Sequence, residues 1–214
     1  MKSEYIPMPE LSKKVMKKRL KEKYAKEEAE QKWQKIQKTY DEFVESVPDI
    51  GGRKNSMCNS FYWALACFAW YEALKSETDQ QEMESLLDAN MSGGAFMKKI
   101  MNHINLDSPR IQKIVYGYIG KMAVRLNQHK EDGSWNNTWG VQVNPLNRKE
   151  GISVHLIGCP IVDFAKEHGY MELMPIFCAS DYSMIEEGMG KQLIREHTVA
   201  AGDEECDYWV LNRK

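Results

Sequence analysis

Five cysteines in a chain of 214 residues are the side chains best able to do chemistry here. Three of them sit late in the chain, each in a short motif. Cys159 precedes Pro160, Cys178 stands three residues before Asp181, and Cys206 precedes Asp207. A thiol reacts as its thiolate, so a nucleophilic cysteine needs a nearby base, a cation or a helix N-terminus. Cys159, at a strand-to-helix turn, meets one condition. Cys178 and Asp181 share one side of a helical turn. They would meet another condition if His155 or His197 reached across. The gaps of 19 and 28 residues between the three cysteines match no close-pair zinc pattern. A metal site would have to be assembled by tertiary contacts alone. Nucleophilic thiol, tertiary metal ligand and buried structural thiol all remain open for this set. Cys58 and Cys67 are nine residues apart. On a helix that is roughly 900°, half a turn out of phase, so they read as separate packing residues.

His155 alternates with Ile152, Val154 and Leu156, which aims it at a second apolar layer or a pocket. His197 shares a strand face with Arg195 if that strand is regular. An Arg/His face suits a carboxylate, which arginine clamps bidentately, although a solvated strand face is the plainer reading. His168 reads as a helix C-terminal residue favoured by the helix dipole. The chain has no G-x-S-x-G, no phosphate loop, no G-x-G-x-x-G and no H-E-x-x-H. Gly188-Met189-Gly190-Lys191 lacks the spacing and the hydroxyl residue of a phosphate loop.

The elements that must position these residues fall into two parts, which together read as α+β. A helical N-terminal half carries a long basic first helix. A small antiparallel sheet with short helices follows. Trp33, Ile36, Tyr40, Phe43 and Val47 follow one another at helical spacing, and Pro48 ends the run. Residues 1–48 therefore read as a helical arm, solvated or docked, and residues 49–214 as a single α+β domain. The segment Asn59–Tyr71 is apolar nearly all round and reads as a central buried helix. Asp107-Ser108-Pro109 opens a helix that carries Ile111, Ile114, Val115, Tyr118, Ile119, Met122 and Leu126 at helical spacing. Residues 139–143 and 152–156 alternate as strands, antiparallel neighbours across a short loop. Pro160 to His168 reads as a helix closed by Gly169. Residues 192–200 and 206–211 read as two more strands around Gly202-Asp203.

The net charge of −2 conceals an uneven distribution. Residues 1–40 carry +6 and the remainder −8. The basic residues are interleaved with Glu22, Glu27, Glu28 and Glu30, which argues against a nucleic-acid or membrane arm. The arm offers a surface for self-association. No apolar run approaches the roughly 20 residues of a membrane span, and no secretory leader opens the chain. A cytoplasmic location is expected, where disulfides are disfavoured.

Three strings of the sequence resemble one enzyme family. They are Gly158-Cys159-Pro160-Ile161, Phe177-Cys178-Ala179-Ser180-Asp181, and Gly202-Asp203-Glu204-Glu205-Cys206-Asp207-Tyr208. Their order and separations are similar to the L-2-amino-thiazoline-4-carboxylic acid hydrolase family over residues 135–212. The resemblance implies a hydrolase acting on a small cyclic C–N/C–S substrate, opening an aminothiazoline ring to a carbamoyl-cysteine. It places Cys159, Cys178, Asp181, Cys206 and Asp207 in the motifs. On this basis Cys178 is the expected nucleophile, Asp181 its partner and His155 the proton carrier. Arg195, Cys159, Cys206 and Asp207 are the expected substrate contacts. No cofactor is expected, with a thiolate-bound metal as the alternative. A non-catalytic ligand-binding or sensor protein on the same fold is the competing reading.

Overall fold

A computed structural model describes residues 5–91, 94–135 and 137–213. The basic N-terminal run forms two helices, α1 (Glu10–Lys23) and α2 (Lys26–Ser46). The single helix expected up to Pro48 is interrupted at Tyr24 and Ala25, both extended. Glu27 and Glu28 in the first turn of α2 suit a new helix N-terminus, where the dipole favours negative charge. The stripe from Trp33 to Val47 is buried throughout. It packs on α3 (Cys58–Ala73), which is buried on nearly every side, as its unbroken apolar composition requires.

α1 docks against this core instead of projecting. Met16 and Leu20 are buried, and the Arg19 guanidinium reaches Ser85 on α4 (Gln80–Met91). Lys23 pairs with Glu82 and Lys32 with Glu77, both at 2.5 Å. The basic segment is thus partnered by the acidic remainder of the chain.

After α5 (Gly94–Asn102) comes α6 (Pro109–Glu131), which opens at the expected proline. The apolar residues at helical spacing along it are not buried over its whole length. Only Ala123 and Leu126 are fully covered, against Trp135 and Val141, while Ile114 and Tyr118 are exposed. The C-terminal half of α6 packs on the sheet through apolar side chains, whereas its N-terminal half meets the start of β2 through the hydrogen bonds of Gln112 and Tyr116 to Gly151 and Ser153.

The sheet holds β1 (Gly140–Val143), β2 (Ile152–Ile157), β3 (Lys191–Ile194) and β4 (Glu205–Asn212), in the order β1-β2-β4-β3, antiparallel throughout. α7 (Pro160–His168) ends at Gly169, whose φ of 76° is the left-handed conformation that glycine adopts at low cost. α8 (Met174–Tyr182) continues into a π-helical turn. The strand expected over 192–200 stops at Ile194. From Glu196 to Val199 the amides bond to the side chains of Asp203, Cys206 and Asp207, and Val199–Ala201 then forms a short 3-10 turn. This leaves no ladder partner for a longer strand. Among the described residues, no helix is long and apolar enough to cross a membrane.

Candidate active site

Cys159, Cys178, Asp181 and Cys206 line one cavity of about 570 Å³, together with Tyr208. Each arrives by a local device that the sequence encodes. Gly158, at φ 72°, turns β2 into α7. Cys159 is the extended residue at the helix start, and Pro160 occupies the first turn. Cys178 and Asp181 lie three residues apart on α8 and present the same side. Cys206 and Tyr208 alternate with Asp207 on β4, so both face the cavity while Asp207 faces away. That face also carries Leu156, the register partner of Cys206.

Asp181 is the polar centre of the site. Its Oδ2 accepts from the Tyr208 hydroxyl at 2.7 Å and from Arg195 Nη1 at 2.5 Å. Among the described residues no hydrogen bond reaches its Oδ1, the remaining oxygen of a residue in the cavity wall. Desolvation raises the Asp181 carboxyl above the ordinary carboxylate range, opposed by the Tyr208 hydroxyl and the Arg195 charge. Arg195 is almost fully covered, with its side chain 5% exposed. It also donates to the Cys178 carbonyl at 2.8 Å, which ties α8 to the loop after β3.

The thiols are protonated at rest. Burial pushes Cys178 up to about 11, with Asp181 adding to the shift and Arg195 opposing it. Burial pushes Cys159 up to about 12. The helix N–H groups of Val162 and Ile161 act the other way without overcoming it, so the helix start does not activate this thiol. Cys206 is likewise raised by burial, and its Sγ accepts from the Val199 amide at 3.3 Å. Cys58 and Cys67 are buried on α3 and do not line the cavity.

The last motif is an anchor for the loop that carries Arg195. Asp207 Oδ1 accepts from the amides of Glu196 at 3.0 Å and His197 at 2.6 Å. Asp203 Oδ2 accepts from the Thr198 amide at 2.9 Å. Gly202, at φ 104°, closes the turn. Arg195 and His197 therefore do not form one strand face. Arg195 is buried against Asp181, whereas His197 is exposed, with its Nδ1 3.4 Å from Asp203. His155 does not join the cavity. It lies on the opposite face of β2 from Leu156, buried, with Nδ1 2.8 Å from Glu205 Oε1. Glu196, His197 and Asp207 have side-chain atoms within 4.8 Å of one another, as metal ligands would. The group is largely exposed, and Asp207 Oδ1 is already engaged by the two amides.

Sequence reasoning passed over Tyr208 as an Asp181 partner. The signal was present: in a strand, Tyr208 must face the same way as Cys206. It also passed over the apolar wall residues Trp63 and Trp139 and the segment Pro9–Ser12, which carry no motif.

A helix-wrapped antiparallel sheet with a carboxylate and three thiols around one cavity defines a small α+β protein. The chain belongs to the L-2-amino-thiazoline-4-carboxylic acid hydrolase family, whose model matches residues 60–210. The match reaches well beyond the motif-bearing residues 135–212 and takes in the central helix α3. No curated protein and no solved structure matches the chain.

Proposed function

We propose that the protein is a hydrolase that opens a small ring at a carbon held between nitrogen and sulfur. Cys178 is the nucleophile and Asp181 the base. The observation that supports this reading most is Asp181 itself, with Oδ2 fixed by Tyr208 and Arg195, Oδ1 free, and Cys178 on the same side of α8. A thiol with a pKa near 11 needs its proton taken during attack, and a desolvated carboxylate is a stronger base than one in water.

In the first step the Cys178 sulfur bonds to the amidine-like ring carbon while Asp181 accepts the thiol proton. The carbon becomes tetrahedral. Re-forming its C=N bond expels the ring sulfur, which takes the proton from Asp181. Water then adds to the same carbon and displaces Cys178. This leaves a urea and a free thiol, with the enzyme cysteine restored. Net consumption is one water.

Replacing Cys178 by Ala should reduce ring opening by at least about 10³-fold with the fold retained. Unchanged turnover in a folded Cys178→Ala protein overturns the role. The high resting pKa of all three thiols favours one second reading, a non-catalytic small-ligand-binding or sensor protein. Detection of a new free thiol in the product separates the two.

A further inference from the structure

The charge of the cavity wall says what the site accepts. Among the described residues that line it, the charged side chains are Glu10 and Asp181, both acidic; none is Lys, Arg or His. Arg195, expected from sequence to clamp a carboxylate, is not part of the wall. Its guanidinium is engaged by Asp181, the Cys178 carbonyl and Tyr208. Asp181 is paired with Arg195 and Glu10 with Lys13, so a carboxylate-bearing ligand would give up water and meet no unpaired cation among the lining residues.

The same wall is rich in apolar surface. Met57, Trp63, Trp139, Leu156, Met174 and Phe177 contribute to it, and about 570 Å³ is far more than a lone thiazoline ring fills. Volumes of this order hold drug-sized ligands. Part of the wall, from Pro9 to Ser12, comes from the start of α1, outside the matched residues 60–210.

We infer that the substrate is an uncharged or cationic amidine-like heterocycle bearing a bulky apolar group where the family's named substrate bears a carboxylate. Its amidine end faces Asp181 Oδ1, and its apolar end rests on the wall completed by Pro9–Ser12. The inference rests on this cavity being the catalytic site.

Trp63 and Trp139 in the wall allow binding to be read by their fluorescence, independently of turnover. The probes are 2-amino-4-phenyl-thiazoline and 2-amino-thiazoline-4-carboxylate, titrated into the full chain. The phenyl probe should bind at least about tenfold more tightly. Equal or tighter binding of the carboxylate probe overturns the inference, as does failure of the phenyl probe to saturate. Leu11 lines the cavity yet is 54% exposed, so Leu11→Arg adds the missing cation without disturbing the core. That variant should gain about tenfold in affinity for the carboxylate probe. No gain places the ligand elsewhere and also overturns the inference. Ring opening is followed separately. Tight phenyl binding without product sinks the hydrolase reading alone, whereas ring opening with tighter carboxylate binding sinks the inference alone.

Discussion

Tyr208 donates its hydroxyl to the same Asp181 oxygen that Arg195 holds, joining β4 to α8 across 27 residues of sequence. This shared oxygen fixes the carboxylate plane and leaves the other oxygen for chemistry. It also sets how the site should respond to change.

Tyr208→Phe removes a contact that lowers the Asp181 pKa. The Asp181 value should therefore rise, and the acid limb of the pH profile of kcat/KM should move to higher pH. Loss of one hydrogen bond to a charged group should cost about 2 kcal/mol of stability, measured by urea unfolding. An unmoved acid limb would show that Asp181 is not the group being titrated.

The thiols make a second expectation about pH. Cys178 titrates at about 11 in the folded protein against an ordinary value of 9.0. A group whose pKa is raised on folding holds its proton more tightly in the native state. Its stabilisation is complete below about pH 9 and is lost as the pH climbs toward 11. The fall in Tm between pH 9 and 11 should be smaller in Cys178→Ala than in the parent. In the same window, native alkylation of Cys178 by iodoacetamide should accelerate steadily. Fast alkylation at pH 7 would contradict a protonated resting thiol.

Asp207 should act through Arg195. Asp207→Ala frees two loop amides and should cost about 1–3 kcal/mol in thermal unfolding, with turnover reduced because Arg195 is no longer held against Asp181. Asp207→Asn keeps the acceptor oxygen and should recover most of both losses. Equal damage from the two substitutions would mean that the charge of Asp207 matters, and not its bonds to Glu196 and His197.

Much of this was readable in the residues. The stripe from Trp33 to Val47, the all-round apolar α3, the proline starts of α6 and α7 and the glycine after His168 each follow from local rules, and each lies where those rules put it. Cys159, Cys178 and Cys206 of the three motifs line one cavity, while Asp207 of the third faces away from it. The failures share a physical cause, which is tertiary context. Ile114 and Tyr118 stand at helical spacing with Leu126 yet are exposed, because that half of α6 turns Gln112 and Tyr116 toward the sheet instead. Residues 195–200 have strand composition, but their amides are captured by Asp203, Cys206 and Asp207. Arg195 has the chemistry of a carboxylate clamp for substrate, yet the carboxylate it clamps belongs to Asp181. No pattern in a single sequence tells an arginine which carboxylate it will meet.

β4 is read from both sides. Cys206 and Tyr208 face the cavity, while Asp207 between them ties down the loop on the other side. Because strand side chains alternate with a period of two, a one-residue slip of β4 against β2 would exchange these positions. Loop anchor and reactive wall would fail together, not one after the other. The segment from Glu205 to Tyr208 is therefore the least tolerant place for an inserted or deleted residue, although it lies in a strand only eight residues long. The fold links the precision of the site to one register, and the loop bonds of Asp207 help to hold that register.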